Sequence, residues 1–218
     1  MKLGRLIVVA ALAVMTMAAA PVRGPHWDRV IAATPEGGYR VGNPKAPTQL
    51  VEFVSYTCPH CAHFESEAGP PLLRTYVASG QVSVEYRPFL RNRIDVAASL
   101  LATCGPVAKF RGNHAAILGG QEQWMQGSTQ GDQIADFGTA MRTIARDYKL
   151  YDLMTPRGYT RTQLDACLQD RAAADKLAAQ TEHAVEALKV NATPSFLING
   201  QLQDVHDWNG LRARLPTR

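Results

Sequence analysis

No run of like charge, no repeat and no low-complexity tract interrupts these 218 residues, which excludes a solenoid array and a disordered chain. Phosphate-loop and nicotinamide fingerprints are also missing, so no nucleotide or dinucleotide chemistry is indicated and no cofactor is expected. Excess charge is scarce: 23 Lys and Arg stand against 19 Asp and Glu, a net +4. Setting aside Lys2 and Arg5 near the start leaves 21 against 19, too weak and too dispersed a surplus for nucleic acid. What remains, 46% hydrophobic and 19% charged residues, is enough for one sizeable core, or a core with an inserted subdomain.

Only one apolar run is long, and it stands at the beginning. "MKLGRLIVVAALAVMTMAAA" has a positive start, an apolar stretch from Leu6 and a small-residue tail, the layout of a secretory signal over residues 1–20. A spanning helix needs about 20 apolar residues, so a cleaved signal is expected rather than an anchor. Cleavage after Ala20 would place Pro21 after the bond, which leaves Ala18 and Ala19 as alternative sites and an uncleaved tether as the other outcome. Export to the periplasm changes the meaning of the four cysteines, because disulfides persist there.

Cys58 and Cys61 are two residues apart in "FVSYTCPHCAHFE" and are confined to each other, which leaves Cys104 to pair with Cys167 as a structural disulfide, two free buried thiols being the alternative. Haem attachment needs His directly after the second Cys, but residue 62 is Ala. Zinc would need two more ligands at compatible spacing, whereas Cys104 and Cys167 stand singly, so no metal is expected. A purely structural Cys58–Cys61 bridge is the blander reading. If Cys58 caps a helix, Pro59 takes the first helical position, where no NH is needed, and the sulfur faces unpaired NH groups and the positive end of the helix dipole. His60, as a donor or an imidazolium, would add to the stabilisation of a thiolate. A stabilised thiolate favours the reduced form and makes the Cys58–Cys61 disulfide an oxidant.

Along the chain, residues 21–40 are rich in Pro and Gly and read as a linker, with a short edge strand near Tyr39 to Val41. Residues 48–57 read as a buried central strand in which Glu52 is the misfit, 59–78 as a helix interrupted by "GPP", and 82–90 as a second strand. From Asp95 to about Leu188 the signals are helical, with helices at 95–104, 132–150, 160–170 and 171–188. "TPSFLINGQLQ" reads as a strand, an Asn199-Gly200 turn and a return strand, and a brief helix begins near Asp207. Trp124 and Trp208 read as core or groove lining, and His26, His63, His114, His183 and His206 as surface residues.

This order, with "VEFVSYTCPHCAHFE" and the late "VNATPSF", resembles the exported DsbA-like thiol:disulfide oxidoreductases of the thioredoxin superfamily. The resemblance implies an α/β fold, thioredoxin-like, from residues 41–94 and 189–218, with an inserted all-helical subdomain over 95–188. It also implies a cis Pro194, with Thr193 beside Cys58 in the substrate groove. An acidic pair beneath the motif maps onto Glu52 and Glu65 as a proton relay, although Glu65 also reads as a solvated helix residue. The implied partners are folding exported proteins with free thiols and a membrane reoxidase that passes electrons to quinone, the chain itself being a monomer. Dithiol oxidation is the expected activity. An isomerase or reductase of the same fold, and a non-catalytic chaperone or assembly module, are the alternatives.

Overall fold

The computed structural model describes residues 26–217; the expected signal, residues 1–20, lies outside them. A mixed six-stranded sheet has the order β1-β2-β4-β3-β5-β6, built from β1 (Ile31–Ala33), β2 (Tyr39–Gly42), β3 (Thr48–Val54), β4 (Val82–Pro88), β5 (Ser195–Ile198) and β6 (Gln201–Leu202). Helices are α1 (Pro59–Pro71), α2 (Arg93–Ala102), α3 (Phe110–Gly119), α4 (Gln121–Trp124), α5 (Phe137–Asp147), α6 (Leu150–Met154), α7 (Arg161–Leu168), α8 (Arg171–Glu186) and α9 (Trp208–Arg212). The fold is thus thioredoxin-like with a helical insertion, and among the described residues every strand lies outside 93–186. None of these helices is long and apolar enough to cross a membrane.

Central β3 pairs in parallel with β4, Leu50 opposite Val84, and antiparallel with β5, Val51 opposite Leu197. A strand with neighbours on both sides and helices on both faces is apolar throughout, and β3 is buried from Leu50 to Val54. Glu52 sits in the middle of that run.

The crossover from β3 to β4 is α1, extended without a break by a π-helical turn at Leu72–Val77. Pro70 and Pro71 carry no NH, so the helix loses two hydrogen bonds there. The NH of Leu72 spans back to the carbonyls of Ala68 and Gly69, and the wider turn follows.

Several expectations are corrected. The stretch read as linker contains β1, held by antiparallel pairing with β2, and three residues without alternation leave too little pattern to find it. Strand β4 ends at Pro88 rather than residue 90. The helix placed at 132–150 starts at Phe137, because the Asp136 carboxylate accepts the Thr139 NH and caps it there. Helices α3, α4 and α6 belong to the insertion as well; α3 is masked in the sequence by Gly112, Gly119 and Gly120.

Cys104 and Cys167 are joined. Cys104 lies just past the end of α2 rather than in a helix, and Cys167 is in α7. In chain-entropy terms, closing their 63-residue separation stabilises the insertion by about 4 kcal/mol.

Candidate active site

The end of β3 delivers a short loop, Ser55 to Thr57, to the start of α1, where Cys58 is the N-cap and Pro59 the first helical residue. The loop is fixed by one buried carboxylate. Asp95, the third residue of α2, accepts the Ser55 hydroxyl at 2.9 Å, the Thr57 hydroxyl at 2.9 Å and the Thr57 NH at 3.0 Å. Asn92 caps α2 by accepting the Asp95 NH at 2.9 Å, which sets the carboxylate at the helix start. From the insertion, the Gln121 side-chain amide donates to the carbonyls of Tyr56 at 2.7 Å and Cys58 at 3.0 Å. Every polar group of the loop held this way keeps its hydrogen bond without water, which is what lets the loop stay buried in one position.

Cys58 and Cys61 stand as free thiols. Cys58 is 3% exposed and Cys61 fully covered. A hydrogen bond from Cys61 to its sulfur leads the forces that pull the Cys58 thiol down to about 4; burial opposes it, and Thr193 and the backbone NH groups of Cys61 and His60 assist. What His60 brings to the sulfur is therefore its NH at the helix start, while its ring lies exposed on the rim. Burial pushes the Cys61 thiol the other way, far up, and both the Cys58 hydrogen bond and Glu52 add to the rise. Two chemically identical groups are split into a thiolate and a thiol by their places on one helix turn.

Opposite the helix start, the Thr193–Pro194 peptide is cis; the protonated Cys58 thiol donates to the Thr193 carbonyl at 3.2 Å, whereas the thiolate is favoured by the Thr193 side chain. The loop is braced by the Ser195 hydroxyl donating to the Ala192 carbonyl at 2.8 Å and by a 2.8 Å contact between His206 Nδ1 and the Pro194 carbonyl. A groove of about 630 Å³ lies at these elements, lined by Cys58, Pro59, His60 and Thr193 together with Phe89 and Arg91.

Beneath Cys61 the structure gathers a cluster of ionisable groups. Glu52 is 1% exposed and neither carboxyl oxygen has a hydrogen-bond partner; burial, with the Glu65 charge behind it, pushes its carboxyl up to about 8. Glu65 is buried as well, which replaces the solvated reading. Its Oε1 meets Arg111 Nη2 at 2.5 Å, and its side chain folds over Gly69, where a Cβ would come within 2.7 Å of Oε1. Burial resists the ionisation of Glu65, but His114 and the Arg111 guanidinium outweigh it and hold the carboxyl below its usual range.

His114 is the clearest correction: read as a surface residue, it is 0% exposed. Its Nδ1 lies 3.0 Å from the Tyr56 hydroxyl and its Nε2 3.6 Å from Glu65 Oε2. Burial lowers its proton affinity and raises that of Tyr56, so a neutral ring accepts a hydrogen bond from the Tyr56 hydroxyl at Nδ1 and turns Nε2–H toward Glu65.

Sequence reasoning thus missed Asp95, Arg111, His114 and Gln121. All four reach the motif from α2, α3 and α4, across 38 to 65 residues. The Asn92-to-Asp95 cap was the one local sign that Asp95 had a fixed place.

Among the described residues, no group of three or more His, Cys, Asp or Glu is set to hold a metal ion. The arrangement supplies an activated sulfur at a groove, with a buried partner thiol and an uncharged acid behind it, which suits exchange between thiols and disulfides.

Comparison with known proteins agrees with this fold. The thioredoxin family model matches residues 34–215. A crystal structure of a protein-disulfide isomerase from Novosphingobium aromaticivorans is 43% identical, with a TM-score of 0.77, covering 80% of this chain and 93% of that one. Wolbachia pipientis alpha-DsbA1 superimposes with a TM-score of 0.63 at 21% identity, over 82% of this chain and 81% of the other, and speaks for the fold alone. A Rickettsia bellii relative described as a putative protein-disulfide oxidoreductase is 28% identical over 80% of this chain, which spans 62% of that protein's length. With its match running from just before β2 through α9, the chain belongs to the thioredoxin family.

Proposed function

We propose that this chain is a thiol:disulfide oxidoreductase that oxidises the dithiols of exported, folding proteins. The observation that carries the proposal is the split between the Cys58 thiol, drawn down to about 4, and the Cys61 thiol, pushed up by burial one helix turn away. A sulfur that is content as a thiolate is a good leaving group, so its disulfide passes readily to a substrate.

In the oxidised protein, a substrate thiolate attacks Cys58 and the Cys58–Cys61 bond breaks. Cys61 leaves with the electron pair and takes a proton, for which neutral Glu52 is the nearby donor. A second substrate thiolate then attacks the substrate sulfur of the mixed disulfide, and Cys58 departs as a stabilised thiolate. Two electrons have moved from the substrate dithiol to the Cys58–Cys61 pair, and the substrate holds the new disulfide. Thr193 and Pro194 shape the groove in which the substrate backbone lies, and Glu65 holds the charge balance around Glu52. A membrane reoxidase linked to quinone would take the electrons onward, and the signal expected over residues 1–20 supports a periplasmic setting for the reaction.

Refolding of a reduced, unfolded protein with several disulfides tests the direction. Stoichiometric oxidised protein is expected to form substrate disulfides within minutes, and Cys58→Ala to form none. Isomerisation is the second reading, favoured by the likeness to the Novosphingobium protein-disulfide isomerase. A chain that leaves reduced substrate untouched but rearranges a scrambled one acts as an isomerase instead.

A further inference from the structure

The rim of the groove facing Cys58 is built as firmly as the catalytic loop. Its three residues are pinned through successive backbone NH groups: Phe89 to the Val54 carbonyl at 2.8 Å, Leu90 to the Thr181 hydroxyl at 3.0 Å and Arg91 to the Asp95 carboxylate at 3.0 Å. That carboxylate is the one that holds Thr57, the residue before Cys58, at 3.0 Å. A single buried carboxyl group therefore fixes the Arg91 backbone relative to the reactive sulfur.

Above this anchor the Arg91 side chain is exposed and lines the groove with Phe89. Among the described residues its guanidinium has neither an ion-pair partner nor a hydrogen bond. No Asp or Glu lines the groove, and His60 and Asn191 add further hydrogen-bonding side chains. Arginine gives a planar fork of donors matched to a carboxylate, here unused and carried on a backbone fixed beside the groove.

We propose that Arg91 is a specificity-determining residue, which makes the groove favour substrate segments carrying an acidic side chain next to the reacting cysteine. The proposal rests on the oxidoreductase reading and adds the class of sequence it acts on. The acidic side chain meets the Arg91 fork while the cysteine sulfur reaches Cys58, and an apolar neighbour packs on Phe89. Complementary charge at the rim acts mainly on the rate of productive encounter, and it weakens with salt.

The test uses oxidised protein and three short cysteine peptides identical except for Asp, Asn or Lys beside the cysteine. Loss of the Cys58–Cys61 disulfide is followed by stopped flow, with each rate corrected for the peptide's own thiolate fraction. The Asp peptide is expected to react about fivefold faster than the Lys peptide, the size of an exposed ion pair, and the ratio to fall toward one in roughly 0.5 M salt. Arg91→Lys should keep the ranking, Arg91→Gln flatten it and Arg91→Glu invert it. Equal rates for all peptides on the unsubstituted protein, or an unchanged ranking in Arg91→Glu, would overturn the proposal while leaving the oxidoreductase reading intact. The salt series on the unsubstituted protein decides the matter even where a variant folds poorly. Reaction with none of the peptides would overturn both.

Discussion

At pH 5, reduced protein treated with iodoacetamide is expected to lose one thiol, Cys58, and to keep the other. With Cys58 drawn from 9.0 down to about 4, roughly nine-tenths of it is thiolate at that pH, against about one part in 10⁴ of an ordinary thiol. Lower basicity also weakens the nucleophile: five units at a Brønsted slope of about 0.45 cost roughly 10²-fold. The gain in thiolate exceeds that loss, so Cys58 should react roughly 10²-fold faster than an unperturbed cysteine at pH 5. Its rate should be half-maximal near pH 4 and flat above pH 6. Cys61, covered and with its thiol pushed far up, should stay unmodified through pH 9. Mass measurement of peptides after timed alkylation reads both sites. Half-maximal modification near pH 9 would mean that the helix start, Thr193 and Cys61 do not stabilise the sulfur as described.

The buried acid should have the second large effect, on stability. Glu52 keeps its proton to about pH 8 in the fold, whereas an unfolded chain releases it near 4.5. The neutral acid's contribution is therefore complete below pH 4.5, declines as pH rises toward 8 and is lost beyond it. The shift corresponds to a decline of up to roughly 5 kcal/mol. Oxidised protein is the form to use, because its active-site thiols are tied up and cannot titrate. Tyr56, Tyr86, Arg111, Glu65 and His114 surround the site and also shape the curve, so the informative quantity is the difference from Glu52→Gln. Urea unfolding from pH 5 to 9 should show Glu52→Gln gaining on the parent by several kcal/mol over that range, levelling off near pH 8. A constant difference at every pH would place the proton elsewhere.

Local chemistry made part of this molecule readable in advance. Cys58 and Pro59 announce a capped helix start, "NG" announces the turn between β5 and β6, and a uniformly apolar run announces β3 as a central strand. Each of these depends on residues within one turn or one strand of each other. The cluster below Cys61 does not. Arg111 and His114 sit on α3, a helix broken up by glycines in sequence, and meet Glu65 and Tyr56 only through packing between elements. Glu52 was conspicuous because a carboxylate in a buried strand contradicts its surroundings, while Asp95 and Gln121 look ordinary in their own helices. Strand β1 has the same origin: its pairing with β2 defines it, not its three side chains.

The central claim is that the protein stabilises its reduced pair enough to act as an oxidant. At pH 7, the lowered Cys58 thiol alone raises the reduction potential of the pair by about 90 mV, or about half that after screening by solvent. Thioredoxin lies near -270 mV and DsbA near -120 mV. The decisive measurement is the Cys58–Cys61 potential, obtained by equilibrating the protein with glutathione buffers and counting alkylated thiols by mass. The account predicts a value between about -220 and -120 mV, in the direction of DsbA. A value at or below about -270 mV would contradict it and make the protein a reductase that depends on an electron donor.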